Sequence, residues 1–473
     1  MSKRVRNLLI ALGIAIVLGA GLFLLIAFGP ASPGGTSSTA SSSGIALVSH
    51  KQDDVQSVTV KNKEGQYTVE RTGELTWEIA EFKGAPKNTN LYSSLAALAA
   101  QVTAYSEIGE TSDSLSHFGL DKPAITVQIT YTDKSTYGFS IGNVTGENDT
   151  TYYMKPDGSD KLYLYEMDTT SPLSKSKYAF IETTLYEQTS TAEDADVFDS
   201  IELAGTMRKQ AVKIEPNRSE NDPSAPLTSF ILTAPIKAGL KSDVDEGLVD
   251  LSTVEAVEAV AVHPDSAALK KYGLSQPQTL ITITSGKDKT VISGGTKDGE
   301  NFYAIKEGVP VIYKVALSSL PIAYSQVQDL STERLFDVYL GDLSQLIIKG
   351  GGLDYTFDIK QLAQDDAEGK DVEIYYQGKK LNTENFQNFF RVLVDMKTYE
   401  VAQTTPSGNA EYTITCKYTN SSIKDRVTEL IPSSARTYFV RTDGNGYFNV
   451  LSSYVDELMA DVVKVSKDQT VIP

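Results

Sequence analysis

The longest apolar stretch of the chain lies near its N-terminus, where residues 8–28 contain no charged or strongly polar side chain. A helix of that length crosses the roughly 30 Å hydrocarbon core of a bilayer and satisfies its own backbone hydrogen bonds there. Three basic residues precede the stretch, and the positive-inside rule places such residues in the cytoplasm. The pattern predicts a cytoplasmic tail over residues 1–6 and a transmembrane signal anchor over residues 7–29.

A cleaved signal peptide is the alternative, but its apolar region is usually only about 7–15 residues long. Residues 30–44 are nearly all Ser, Thr, Gly, Pro and Ala, a composition typical of a flexible tether. The sequence therefore predicts a single-pass protein of the cell membrane that contacts the lipid bilayer through residues 8–28. Its N-terminus is expected in the cytoplasm and the bulk of the chain outside it.

Beyond the tether, an aromatic residue followed by Gly-Leu-x-x-Pro and an alternating run of β-branched residues occurs twice. The first copy begins at Phe118 and the second at Tyr272. Alternating apolar and polar residues indicate half-buried antiparallel strands, and the Gly and Pro suit the turn that leads into them. A third, divergent copy of the strands begins at Tyr412 without this turn.

A strand hairpin and a stretch with helical character precede each set of strands. Residues 91–102 and 385–394 carry apolar side chains at helical spacing, and residues 254–262 occupy the corresponding place in the second copy. We therefore predict an α+β fold with an N-terminal transmembrane helix and three repeated modules of antiparallel strands with one helix each. The predicted modules span residues 45–190, 191–336 and 337–465.

Four short motifs stand out among these elements: Trp77-Glu-Ile79, Tyr272-Gly-Leu-x-x-Pro277, Ile141-Gly142 and the Tyr-Tyr-x-Lys of residues 152–155. Together they resemble the family called domain of unknown function 4340. The resemblance implies a bacterial, membrane-anchored protein that faces the cell envelope. It also implies a connection, in some relatives, to ABC-type transport systems related to gliding-motility exporters. It implies no catalytic residue.

Composition narrows the chemistry further. The formal net charge of the 473 residues is −18, which disfavours nucleic acid as a partner because phosphate binding needs a basic face. The single cysteine, Cys416, excludes an intramolecular disulfide framework, and its alternating context predicts a small buried hydrophobe. The three histidines, His50, His117 and His263, are not grouped in the sequence.

Several short runs match the beginning of a functional motif but lack the remainder. Residues 243–247 begin like a calcium loop without the Gly and Glu of an EF-hand, and residues 443–446 indicate a turn. Ser174 and Ser421 each begin a Ser-x-x-Lys match, yet neither Ser-Asp-Asn nor Lys-Thr-Gly occurs. The glycines at 350–352 lie between strand-like segments, which does not predict a phosphate site.

No catalytic, cofactor-binding or metal-ligating residue is therefore predicted, and no cofactor. We expect a non-enzymatic interaction or accessory component of an ABC-type membrane transport complex, with transporter subunits as partners and no nucleic acid. The alternative is an extracellular module that binds cell-wall glycan or another polymer through exposed tyrosines. The chain has 25 tyrosines in total. The identity of any ligand is not predicted.

Overall fold

A computed structural model describes most of the chain: residues 44–110, 113–145, 150–188, 197–219, 225–226, 228–362 and 372–472. Within these residues the chain forms four antiparallel β-sheets with a few helices. The predicted tail and anchor, and the predicted tether up to residue 43, lie outside the described residues. Among the helices of the described part, none is long and apolar enough to cross a membrane.

The first unit consists of an eight-stranded sheet, a two-stranded sheet and one helix. Its strands are β1 (Ile45–Ala46), β2 (Val55–Asn62), β3 (Gly65–Gly73), β4 (Thr76–Glu78), β5 (Thr103–Ala104), β6 (Ser106–Glu110), β7 (Ile125–Tyr131), β8 (Thr136–Val144), β9 (Thr151–Pro156) and β10 (Lys161–Glu166). Its helix is α1 (Thr89–Ala100). The order of the large sheet is β4-β3-β2-β7-β8-β9-β10-β6, and β1 pairs with β5.

The second unit contributes a ten-stranded sheet. Its strands are β11 (Thr184–Glu187), β12 (Ser200–Ala204), β13 (Val212–Pro216), β14 (Phe230–Ala234), β15 (Ala238–Gly239), β16 (Thr253–Val262), β17 (Thr279–Ser285), β18 (Asp288–Asp298), β19 (Asn301–Lys306) and β20 (Val311–Ala316). Its helices are α2 (Ser242–Val249), α3 (Ser266–Lys271) and α4 (Val327–Leu330). The strand order is β11-β16-β20-β19-β18-β17-β12-β13-β14-β15.

The third unit contributes a nine-stranded sheet. Its strands are β21 (Leu343–Gly350), β22 (Leu353–Gln361), β23 (Val372–Tyr376), β24 (Lys379–Lys380), β25 (Glu400–Val401), β26 (Tyr412–Tyr418), β27 (Arg426–Pro432), β28 (Thr437–Thr442) and β29 (Asn445–Leu451). Its helices are α5 (Thr383–Val394) and α6 (Ser452–Ser466). The strand order is β24-β23-β22-β21-β26-β27-β28-β29-β25.

The three large sheets share one topology. In each, the strands of the first hairpin extend to one edge and the four later strands extend towards the other edge. The strand that follows the main helix then returns beside the last of these four, so that β6 pairs with β10, β16 with β20, and β25 with β29. The same strand pairing thus occurs in the third unit, whose sequence is the most divergent.

The predicted α+β class with one helix in each module is wrong. The described chain is mostly antiparallel sheet, and its few α-helices are distributed unevenly, with one in the first unit, three in the second and two in the third. Residues 254–262 form strand β16, in which Val254, Ala256 and Ala259 are buried. Their spacing of two and then three residues imitates a helix because the pairing with β20 shifts register after Ala256.

The linker between the first and second units pairs with the first unit and then with the second. After the first unit, Ile181 forms a bridge with Lys87, just before α1. Two residues later, the Thr183 carbonyl accepts a hydrogen bond of 2.9 Å from the Ala256 amide in β16. Strand β11 continues this pairing along β16, so the backbone itself fixes the second unit against the first.

The second linker repeats this arrangement. Ser331 forms a bridge with Leu240, just before α2. The Glu333 carbonyl then accepts a hydrogen bond of 2.8 Å from the Thr398 amide in the third unit. The apolar core of the third unit forms its own cluster, whereas the first two units share one continuous cluster that also includes Phe448 from β29.

Candidate functional site at the junction of the second and third units

The Ser-x-x-Lys match at residue 174 does not form a nucleophile with an adjacent base. The Ser174 hydroxyl donates to the Ser171 carbonyl at 2.9 Å. Lys177 pairs with the Glu81 carboxylate at 2.9 Å and lies over the Tyr178 ring. The two side chains therefore hold their own segment in place.

The acidic run at residues 243–247, which begins like a calcium loop, lies in helix α2. The Asp245 carboxylate accepts hydrogen bonds from the Ser229 and Phe230 amides at 2.9 and 2.8 Å, which ties the start of β14 to the helix. The residues described here contain no group of three or more His, Cys, Asp or Glu side chains that could hold a metal ion.

Each of the three histidines has a different environment in the structure. His50 stacks on Tyr131 with ring centroids 4.0 Å apart. A ring nitrogen of His263 contacts the Lys83 carbonyl at 3.0 Å and so joins the second unit to the first. His117 is exposed beside the first Gly-Leu-x-x-Pro turn.

Cys416 and Trp77 belong to the core. The prediction for Cys416 is confirmed, since this side chain is only 1% exposed, and burial raises the pKa of its thiol to about 12. Trp77 lies in β4 and is 3% exposed. Gly350 ends β21, and Gly351 and Gly352 form the turn to β22, so the glycine run joins two strands as predicted.

A cleft of about 250 Å³ opens where the second unit meets the third. One wall is the segment around β15, another is the linker over residues 332–337, and the third comes from the ends of β27, β28 and β29. The Thr332 amide donates to the Gly239 carbonyl at 2.9 Å, and the Leu335 amide donates to the Met396 carbonyl at 3.0 Å. Backbone hydrogen bonds to both units therefore hold the linker wall in position.

The floor of the cleft is apolar. It is formed by Leu335, Val440, Tyr447 and Phe448. Val440 is 4% exposed and Phe448 is 9% exposed. Burial raises the pKa of the Tyr447 hydroxyl above its ordinary value.

Charged side chains surround this floor, and most of them are cationic: Lys237, Arg334, Lys424 and Arg426, with Asp337 and Asp443. Arg426 reaches the Asp337 carbonyl at 3.5 Å, and the Asp443 carboxylate accepts from the Val427 amide at 3.0 Å. Within the described ranges, Lys237, Arg334 and Lys424 have no carboxylate partner. A cationic rim thus stands out on a chain whose net charge is −18.

The sequence does not predict this cleft, because its cations come from segments that are distant in sequence. In the sequence, Lys424 stands out only as the end of the Ser421 match, which lies in the turn before β27. The one local signal is Lys424-x-Arg426, since alternate residues of an extended segment share a face.

Comparison with protein-family models tests the family resemblance that the sequence motifs indicate. The family described as Domain of unknown function (DUF4340) matches residues 77–238 and again residues 238–415, which together exceed half of the chain. The chain belongs to this family. The family resemblance is thereby confirmed, as is a repeat of two parts, and the function of the family is unknown.

The boundaries of the two family matches do not coincide with the boundaries of the three units. The first match begins in β4 and the second in β15, the two strands that precede the main helix of their units. Each match therefore includes the helix and later strands of one unit and continues into the next unit, the second match as far as β26. No curated protein and no solved structure matches the chain.

Proposed function

We propose that the protein is a non-enzymatic accessory component of an ABC-type membrane transport complex and that it binds other subunits of that complex. The observation that supports this best is the cationic cleft between the second and third units. Lys237, Arg334 and Lys424 are exposed around it. An exposed rim of one charge suits recognition of an oppositely charged surface on another protein.

The roles of the motif-like residues also support binding over catalysis. Ser174 donates to a backbone carbonyl, and Asp245 accepts from two backbone amides. His263 contacts a backbone carbonyl of the first unit. Ser174 and Asp245 stabilise the segments around them, and His263 joins two units. These structural roles suit a protein whose three repeated sheets offer surfaces to a partner.

The proposed location is the outer side of the cell membrane, with the N-terminus in the cytoplasm. The sequence alone supports this part of the proposal. Basic residues precede the apolar residues 8–28, and a positively charged flank favours retention in the cytoplasm.

The test is site-specific photo-crosslinking of the full-length protein in native membranes. A photoreactive residue replaces Asn445, at the rim of the cleft, or Lys287, in the exposed turn between β17 and β18, as a matched control. Purification under denaturing conditions and mass spectrometry then identify the crosslinked proteins. We expect transporter subunits to be captured from position 445 and not from position 287.

Capture of no membrane protein from position 445, or equal capture from both positions, would contradict this proposal. Retention of the full-length protein on purified cell-wall material would instead favour the glycan-binding alternative. No feature of the described residues favours that alternative at present. Their most exposed tyrosines belong to different segments: Tyr105, Tyr339, Tyr399 and Tyr454.

A further inference from the structure

We infer that the cleft between the second and third units binds an acidic peptide segment of a partner protein, with an apolar side chain of that segment on the cleft floor. This inference rests on the proposed function, because it names the chemistry of the partner at the same site. The carboxylates of the segment would meet the cationic rim, and its backbone would lie along the cleft.

The size of the cleft suits one side chain and its adjoining backbone. Its volume of about 250 Å³ lies below the usual range for whole small-molecule ligands, which is about 300–1,000 Å³. The floor around Val440 and Phe448 offers apolar surface to such a side chain. A single apolar anchor surrounded by polar contacts is a common arrangement at protein interfaces.

The placement of the cations favours an extended ligand. Lys237 belongs to the second unit, Arg334 to the linker and Lys424 to the third unit, so they approach the cleft from three sides. A segment with several carboxylates reaches all three and gains complementary charge along its length.

The same observations argue against a polymer of phosphate groups. Such a polymer has no apolar side chain for the floor at Leu335 and Phe448. Asp337 and Asp443 also line the cleft, and an ionised phosphate polymer has no N–H donor to offer them. A peptide brings backbone N–H donors as well as carboxylates, so it meets both signs of charge.

The test uses the purified full-length protein in detergent and a synthetic peptide of glutamate residues around one phenylalanine, labelled for fluorescence anisotropy. The comparison ligands are the same peptide with glutamine in place of glutamate, and tripolyphosphate as a competitor. The variants are Lys424→Glu, Lys237→Glu and, as a matched control of equal charge change, Lys287→Glu. Each titration is repeated at low and high salt.

We expect each cleft variant to weaken peptide binding by about tenfold, the control variant to leave it unchanged, and high salt to weaken it. The glutamine peptide should bind at least about tenfold more weakly than the glutamate peptide. Equal loss in Lys287→Glu would overturn the inference, as would equal binding of the glutamine peptide. Tripolyphosphate that competes as strongly as the peptide would assign the cleft to phosphate polymers instead.

The two proposals fail separately. Peptide binding that depends on Lys424, without any transporter subunit crosslinked from position 445, would overturn the proposed partner and support the acidic-peptide site. Transporter crosslinking without peptide binding would overturn the site chemistry alone. Self-association of the wild-type chain that is lost in Lys424→Glu would identify a second, acidic copy of this chain as the occupant and overturn the proposal of a different partner.

Discussion

Asn62 in the first unit and Arg208 in the second donate to equivalent backbone carbonyls. The Asn62 amide donates at 2.8 and 2.9 Å to two carbonyls of the segment that follows β10. An Arg208 guanidinium nitrogen donates at 2.8 Å to the carbonyls of Ala323 and Ser325, in the segment that follows β20. In the third unit, helix α6 takes this place, and its own backbone bonds satisfy most of its carbonyls.

Replacing Arg208 by Met should lower the free energy of unfolding by roughly 2–3 kcal/mol, because buried carbonyls lose a charged donor. Arg208 is 8% exposed and also donates to the Ala204 carbonyl and the Thr279 hydroxyl. Urea denaturation of the full chain measures the loss. Arg218→Met, at a side chain that is 71% exposed, is the control and should change stability by less than about 0.5 kcal/mol. Equal losses of unfolding free energy in the two variants would contradict a stabilising role for the Arg208 hydrogen bonds.

The Gly-Leu-x-x-Pro turns depend on a glycine in the neighbouring strand. A Cβ atom on Gly295 would overlap the Tyr272 carbonyl oxygen, which accepts from the Thr296 amide at 3.0 Å. Gly142 has the same relation to Phe118 in the first unit. Gly295→Ala should therefore lower the free energy of unfolding by about 1–3 kcal/mol in urea denaturation.

The control for this substitution is Gly247→Ala. Gly247 lies inside helix α2, and a Cβ there would meet nothing within 4 Å. This change should raise the free energy of unfolding by roughly 0.5–1 kcal/mol, since alanine restricts the unfolded chain and favours the helix. If Gly295→Ala did not lower the free energy of unfolding relative to wild type, the close packing of the turn on β18 would be disproved.

The Cys416 thiol should be almost unreactive towards disulfide reagents in the folded protein. Burial raises its pKa from 9.0 to about 12, so its thiolate fraction at pH 8 is about a thousandfold smaller than in the unfolded chain. The raised pKa also means that this group's contribution to stability is complete below about pH 9 and is lost as the pH rises towards 12. Thiol labelling with and without urea measures the difference, and equal rates would refute it.

The ion pair between Glu429 and Arg441 should make a small, pH-dependent contribution. Arg441 donates two hydrogen bonds to the Glu429 carboxylate, at 2.6 and 3.0 Å, and these hold the pKa of Glu429 below its ordinary value. Both side chains are about 30% exposed, so solvent screens the pair and Glu429→Gln should cost only about 0.5–1 kcal/mol at pH 7.

The sign of this pH dependence follows from the lowered pKa. A carboxylate with a depressed pKa in the folded state stabilises the protein at neutral pH, and this stabilisation is lost as the pH falls through that pKa. The gap in unfolding free energy between wild type and Glu429→Gln should therefore disappear at acidic pH. Urea denaturation at pH 7 and at about pH 3 measures it, and a gap that stays constant would show that the pair does not titrate as described.

The sequence determined the features that depend on neighbours along the chain. Alternating side chains after Phe118 and Tyr272 predicted strands, because successive side chains of a strand point to opposite faces. Apolar residues at helical spacing in residues 91–102 and 385–394 predicted α1 and α5, although α1 itself runs from Thr89 to Ala100. The repeated turns and the family membership rest on the same local patterns.

Only the tertiary structure decided where separate segments meet. The shifted pairing at Ala256 turned a helix-like spacing into strand β16, since a bulge between strands leaves no local mark in the sequence. The cleft is lined by both Lys237 and Lys424, although 187 residues separate them, because the linker bonds to both units. Asn62 and Arg208 likewise share a role without sharing a residue type, because the fold requires a donor at that place, and either an amide or a guanidinium supplies it.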